Sequence, residues 1–335
     1  MKIAINGFGR IGRLTLRAFL EKKPKNIEIV AINDLADLHS NVHLFKYDSV
    51  HGIFENDIKI SGSTININNT TIQFFSHSDP LKLPWKNLEI DLVIESTGLF
   101  TDRESAKKHI EAGAKKVLIS APGKNVDLTI VYGVNDKLLN SNHNIVSNGS
   151  CTTNCLAPIA HILDSKLKIK SGYMTTIHAV TGDQKTIDTF HKDLRRARNS
   201  LMSMIPTSTG AAKAVGEVLP NLRGKLDGSA VRVPTTNVSL IDFCFETEVS
   251  TSEETINSLI TEASNQDLKN VLSYVKVPLV SSDFNHNPHS SIVDLDGTKV
   301  LNKNFCRILA WYDNEWGFSN RLIDVSEKML NEKNL

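Results

Sequence analysis

Two stretches of this chain carry residue types at spacings that suit chemistry. Gly7-Phe8-Gly9-Arg10-Ile11-Gly12 has the pattern G-x-G-x-x-G. Three glycines so spaced also arise in ordinary turns, but here an apolar strand precedes them and a helical pattern follows. In that setting Gly7 makes a tight turn, Gly9 lets the backbone approach a pyrophosphate, and Gly12 lets helix and strand pack closely. Asp34 follows Gly12 by 22 positions, where an acidic residue would accept hydrogen bonds from a ribose and disfavour a 2′-phosphate. NAD is therefore expected over NADP; the plain alternative is a helix cap on Asp34 in an unrelated α/β domain.

The second stretch is Ser150-Cys151-Thr152-Thr153-Asn154-Cys155, where a strand gives way to a helix. A helix N-terminus favours the thiolate, the form that attacks a carbonyl. On position alone a packed structural cysteine is the commoner case. Cys155 reads as a packed thiol or an oxidation partner, and Cys244 and Cys306 as core. A base is offered by His178 at the end of the strand Tyr173 to Ile177, although ten other histidines compete on position.

The elements that must hold these groups are legible. Apolar runs at Ile3-Ala4-Ile5, Ile27 to Ile32, Asp91 to Glu95 and Lys116 to Ser120 read as strands of a parallel sheet covered on both faces. Further strands are expected at Thr129 to Val131 and Asn144 to Val146. Thr101-Asp102-Arg103-Glu104 fits a capping box, with Gly113 closing that helix in a left-handed turn. After Cys151 a helix to about Lys166 leads into a polar, basic stretch (181 to 205) and a helix from Gly210 to Leu219. Val238 to Val249 alternates as a long strand, which suggests a mainly antiparallel sheet. The fold class is α/β: a Rossmann dinucleotide-binding domain (1–150, completed by a C-terminal helix, 315–335) and a mainly antiparallel α+β catalytic domain (151–314).

Composition bounds the rest. The 335 residues fit two domains, and 40% hydrophobic with 22% charged residues is ordinary for a folded protein. A formal net charge of +1 gives no global attraction to nucleic acid or an anionic membrane. The N-terminal apolar stretch breaks at Asn6, short of an export signal, and four cysteines do not make a disulfide framework. A cytoplasmic protein with reduced thiols and no metal site is expected.

Taken together the chain resembles the phosphorylating, glycolytic glyceraldehyde-3-phosphate dehydrogenases nearly end to end. The motifs are Ile5 to Arg13, Ser150 to Pro158, Thr209-Gly210-Ala211-Ala212-Lys213-Ala214-Val215, Arg232-Val233-Pro234-Thr235 and Trp311-Tyr312-Asp313-Asn314-Glu315-Trp316-Gly317. The resemblance implies that Cys151 adds to the aldehyde of glyceraldehyde 3-phosphate, with His178 as base. Inorganic phosphate would then release an acyl phosphate from the thioester. It implies a substrate-phosphate site at Thr181, Arg198 and Arg232, and an inorganic-phosphate site at Ser150, Thr152, Thr209 and Gly210. Without it, Arg195-Arg196-Ala197-Arg198 reads as a solvated basic loop or a weak nucleic-acid patch. NAD contacts would come from Asn6, Gly7, Gly9, Arg10, Ile11, Gly12, Asp34, His77, Ser96-Thr97-Gly98, Ser120, Asn314 and Phe318. A homotetramer is implied, with residues from 181 to about 205 at an interface.

The chain departs from the family pattern at Phe318 (commonly Tyr), His77 (often Arg), Gly149 (usually Ala) and Thr189-Phe190 (Leu-Pro or Gly-Pro). The rival readings are an erythrose-4-phosphate dehydrogenase, whose thioester water attacks, and a non-catalytic scaffold keeping the fold. Aspartate-semialdehyde dehydrogenase shares the architecture but differs in its motifs throughout.

Overall fold

The computed structural model describes residues 1–68 and 70–331. They divide into two compact units, one of Met1–Ile130, Asp136–Gly149 and the chain from Ser319, the other of Val131–Asn135 and Ser150–Phe318. The last four residues of the expected C-terminal helix, 332–335, lie outside the described residues.

The first unit opens with β1 (Lys2–Asn6), α1 (Arg10–Lys22), β2 (Glu28–Asn33) and α2 (Leu38–Lys46). A small hairpin of β3 (Tyr47–Asp48) and β4 (Gly52–Ile53) precedes the antiparallel run β5 (Ile58–Ser61), β6 (Thr64–Ile67) and β7 (Thr70–Phe75). After α3 (Trp85–Leu88) come β8 (Leu92–Glu95), α4 (Arg103–Glu111), β9 (Lys116–Ile119), β10 (Leu128–Thr129) and β11 (Ile145–Ser147). The nine strands run in the order β10-β11-β9-β8-β1-β2-β7-β6-β5, parallel from β10 to β7. β8 and β9 are buried along their whole length, which is why their sequences are unbroken apolar cores. The order reverses at β1, which lies between β2 and β8. In such sheets ligands bind outside the carboxyl ends of the strands at that switch point. For this sheet those ends are Asn6 of β1 and Glu95 of β8.

The second unit contains α5 (Cys151–Leu167), β12 (Ile169–His178), β13 (Ile205–Ser208), α6 (Ala211–Val218), β14 (Leu226–Arg232) and β15 (Ser239–Thr247). It continues with α7 (Glu253–Asn265), β16 (Leu272–Val275), β17 (Ser291–Leu301), β18 (Phe305–Tyr312) and the start of α8 (Trp316–Asn331). The sheet order is β13-β14-β12-β15-β18-β17-β16. The expected antiparallel character holds for most neighbours, but β12–β14 and β16–β17 are parallel. Alternation along β15 sends Ile241, Phe243 and Phe245 into a core with Leu156, Ile159 and Leu163 of α5, Val215 of α6 and Ile260 of α7. Each such side chain taken out of water contributes about 1.5–3 kcal/mol. That core fixes the N-terminus of α5 over the end of β12.

The cap of α4 corrects the sequence reading by one residue. Asp102, not Thr101, is the N-cap, accepting from the Ser105 N–H at 3.0 Å, and Ser105 rather than Glu104 completes the box. A bridge to Lys124 holds Thr101 and Asp102 extended, so the helix starts only at Arg103. Gly113 then closes it at φ +108°, where a Cβ would meet Lys86 backbone at 2.6 Å. The strand expected at Thr129 to Val131 begins and ends earlier, at Leu128–Thr129. Asp102→Ala is expected to lower the urea midpoint of the protein and Thr101→Ala to leave it within error; the reverse order would restore the cap to Thr101.

Candidate active site

Cys151 is the first residue of α5, and the Ser150 hydroxyl caps that helix by accepting from the Thr153 N–H at 3.0 Å. His178 is the last residue of β12 and lies in register with Arg232, the last residue of the parallel strand β14. The Cys151 Sγ is 3.6 Å from His178 Nε2. On the far side of the ring, Nδ1 is 2.7 Å from the Ala179 carbonyl oxygen and 2.6 Å from Arg232 Nη1, which also donates to that carbonyl at 3.0 Å. An acceptor, the Ala179 carbonyl, and a donor, the Arg232 Nη1, both stand at Nδ1; with the ring proton on Nδ1 and given to Ala179, Nε2 accepts the thiol proton. Tyr312, at the end of β18, is wholly buried behind the pair and its hydroxyl bridges Thr152 and Thr176, each at 2.8 Å.

Burial dominates the electrostatics. It pushes the Cys151 thiol above its ordinary range, while the Arg232 charge and donors on Thr152 pull the other way. Burial and then the Arg232 charge push His178 down to about 3, so the imidazole is a neutral base at pH 7. Cys155 and Cys306 are buried and pushed up, as is the half-buried Cys244. Among the described residues, Cys151 is the one thiol of the four with an imidazole nitrogen beside it.

Groups suited to anions surround the pair. Arg232 Nε is buried with no partner in the protein. The Thr153 hydroxyl donates to the Ala211 carbonyl at 3.2 Å and so ties the N-terminus of α5 to that of α6. Gly210 is the N-cap of α6 with no side-chain cap, and the Thr209 hydroxyl accepts from Ala211 N–H at 3.2 Å. Two helix N-termini side by side favour negative charge. The Thr152 hydroxyl lies 2.8 Å from that of Tyr312, and its hydroxyl and backbone N–H both favour the Cys151 thiolate. Thr181 stands two residues beyond Ala179, its N–H donating to Gln184 Oε1 at 3.3 Å.

The structure does not bring Arg198, the arginine named from sequence, to the cysteine–histidine pair. Arg198 is 67% exposed and held by Asp188 at 2.8 Å. Arg196 instead donates to Thr207 at 3.1 Å and Asp183 at 3.0 Å, and its charge acts on both His178 and Arg232. Alternation in an irregular loop carries no facing signal, so the sequence could not separate the two. Asn314 Oδ1 accepts from the Ser239 hydroxyl at 2.8 Å, which leaves the amide NH2 as the donor it can offer, and Phe318 is buried in α8.

In the first unit the glycine motif is built as the sequence proposes. Gly7 has φ +91°, and a Cβ there would lie 2.6 Å from Thr97 N. A Cβ on Gly12 would lie 2.1 Å from Gly7 O, whereas Gly9, the N-cap of α1, faces open space with no side-chain cap. A cleft of about 260 Å³ is lined by Asn6, Gly7, Gly9, Asp34, His77 and Thr97, together with Asn33 and Ser96. Asp34 Oδ2 accepts from the Phe8 N–H at 2.7 Å, so it braces the turn as well as facing the cleft. Arg10 leaves the cleft for an ion pair with Asp48 at 2.7 Å; Ile11 follows it in the first turn of α1, and Ser120 at the end of β9 donates its N–H to the Glu95 carbonyl. Sequence reasoning did not single out Asn33, which lines the cleft, or Arg196 and Tyr312, which act on His178 and Thr152.

A dinucleotide turn in one unit and a cysteine–histidine pair in the other are the parts that a thiol-dependent dehydrogenase needs. Two family models match: glyceraldehyde 3-phosphate dehydrogenase, NAD binding domain, over residues 1–103, and glyceraldehyde 3-phosphate dehydrogenase, C-terminal domain, over 150–314. The chain is 56% identical over 329 residues to a glyceraldehyde-3-phosphate dehydrogenase of Xanthobacter flavus, covering 98% of each. It is 52% identical over 331 residues to one of Zymomonas mobilis, again covering 98% of each. The chain belongs to the glyceraldehyde-3-phosphate dehydrogenase family. Its cofactor is NAD.

Arg232→Met removes the cation that favours the thiolate. Iodoacetamide alkylation of Cys151 at pH 7 is expected to slow about tenfold, with the rate-against-pH midpoint moved upward. An unchanged profile would deny Arg232 that role.

Proposed function

We propose that this chain oxidises glyceraldehyde 3-phosphate, with NAD and inorganic phosphate, to 1,3-bisphosphoglycerate. The observation that carries the reading is the 3.6 Å approach of Cys151 Sγ to His178 Nε2, backed by an unpartnered Arg232 Nε. His178 takes the thiol proton, the sulfur adds to the aldehyde carbon, and His178 returns the proton to the carbonyl oxygen to give a thiohemiacetal. The backbone N–H of Cys151, at the helix N-terminus, and the His178 imidazole stabilise the developing oxyanion. His178 then accepts the hydroxyl proton as the C–H bond breaks and a thioester remains on Cys151. NAD supplies the acceptor for the hydride. A phosphate oxygen adds to the thioester carbon, the C–S bond breaks, and the thiolate is restored.

Residues 1–150 with the C-terminal helix form the NAD-binding domain in this reading, and 151–314 the catalytic domain. Gly7, Gly9 and the uncapped end of α1 fit a pyrophosphate, Asp34 the adenosine ribose, and the Asn314 NH2 the nicotinamide carboxamide oxygen. Arg232, Thr181 and Arg196 take the substrate phosphate and neighbouring charge; Thr209, Gly210 and the helix ends take inorganic phosphate. Homotetramer formation is supported by apolar side chains left outside on the 181–204 segment, Phe190 at 86% and Met202 at 84% exposure among them. Among the described residues no helix is long and apolar enough to cross a membrane, in keeping with a cytoplasmic site of action.

Initial NADH formation from glyceraldehyde 3-phosphate should depend on inorganic phosphate and vanish in Cys151→Ser. Turnover indifferent to phosphate and faster with erythrose 4-phosphate would overturn the reading. Arg196→Ala should raise the KM for substrate or phosphate about tenfold and Arg198→Ala less than about twofold; equal effects would return the role to Arg198.

A further inference from the structure

Beneath the dinucleotide cleft lies a buried polar cluster that the chemistry above does not use. Glu95 and His109 are wholly buried, yet neither is an ordinary core residue. Glu95 ends β8, opposite Asn6 at the end of β1 and therefore at the switch point of the sheet. Its two oxygens take four donors. Oε2 accepts from Asn6 Nδ2 at 2.6 Å and from His109 Nε2 at 2.9 Å. Oε1 accepts from the Thr97 N–H at 2.8 Å and from the Thr97 hydroxyl.

The proton positions follow from the partners. The Trp85 indole N–H can only donate, and it lies 3.1 Å from His109 Nδ1. Nδ1 must then accept, which puts the imidazole proton on Nε2 and points it at Glu95. Asn6 is fixed in the same way: its NH2 is given to Glu95, so its Oδ1 accepts from Asn33 Nδ2 at 2.7 Å. Asn33 in turn clamps the backbone of His77, donating to its carbonyl at 3.0 Å and accepting from its N–H at 2.9 Å. The Asn6 amide is thus set by an acceptor-only carboxylate, and the Asn33 amide agrees with it through the fixed donor and acceptor of the His77 backbone. Asn6, Asn33, His77 and Thr97 all line the cleft; Glu95, His109 and Trp85 do not.

We propose that Glu95, backed by His109, is a positioning residue for the dinucleotide: its carboxylate sets the donors and acceptors that the cleft wall presents. The proposal rests on the reading of this cleft as the NAD site. A carboxylate with all four donors in place holds its partners rigidly, and a wall fixed before binding spends less affinity on ordering. An amide at position 95 offers one acceptor oxygen and an NH2. It therefore turns a donor toward donors on one side, and either Asn6 or Thr97 must swing away.

The test is calorimetric titration of NAD into the intact protein and its Glu95→Gln, Thr97→Val, Thr97→Ser and Asp34→Ala variants. Glu95→Gln is expected to raise the NAD Kd about tenfold, and Thr97→Val about threefold or more, as lost charge-assisted hydrogen bonds would. Thr97→Ser, which keeps the hydroxyl, should restore the parent Kd. Cys151 alkylation without NAD should keep its rate in Glu95→Gln, showing that the second unit is intact. Should Glu95→Gln not fold, the Val and Ser variants at position 97 decide by themselves. An unchanged Kd in folded Glu95→Gln or in Thr97→Val overturns the proposal when Asp34→Ala weakens binding. An unchanged Kd in Asp34→Ala overturns instead the placing of NAD in this cleft.

Discussion

His178 and Arg232 end two parallel strands in register, and that pairing sets the reactivity of the second unit. It brings a guanidinium to the back of an imidazole whose front faces a thiol. Each of these groups alone would be costly to bury. Together they divide the work: burial keeps the imidazole neutral and able to accept a proton, while the Arg232 charge offsets part of the cost that burial imposes on a thiolate. The antiparallel strands on the other side of β12 carry Tyr312 to the same end of the sheet, where its hydroxyl braces Thr152 and Thr176.

The first unit follows a different rule. Its sheet is parallel and buried, and its ligand-facing groups collect where the strand order reverses. Glycine there acts through space more than flexibility, since no side chain fits at Gly7 or Gly12. The polar wall is held from behind by Glu95, so two buried networks support the chain's two sites: one around a cation, the other around a carboxylate.

Much of this was legible in the residues. Unbroken apolar runs announced the parallel strands, alternation announced β15, and the glycine spacing with Asp34 marked the cleft. The family motifs carried Cys151 and His178 beyond what position could decide. What failed to show has physical causes. The α4 cap shifted because a bridge to Lys124 extends Thr101 and Asp102, a tertiary contact. Arg196 and Arg198 could not be told apart because a loop without periodicity has no readable inside. The direction of the Cys151 shift depends on burial, which local sequence does not state, and the role of Glu95 is visible only once β1 and β8 lie side by side.

In this mechanism Cys151 carries the substrate as a thioester. Mixing the protein with glyceraldehyde 3-phosphate and NAD in the absence of phosphate, quenching in acid and mapping thiols by peptide mass spectrometry tests it directly. An acyl adduct is expected on Cys151 alone, released when phosphate is added before the quench. An adduct on Cys155, Cys244 or Cys306, or NADH formed with no adduct on any thiol, would contradict it.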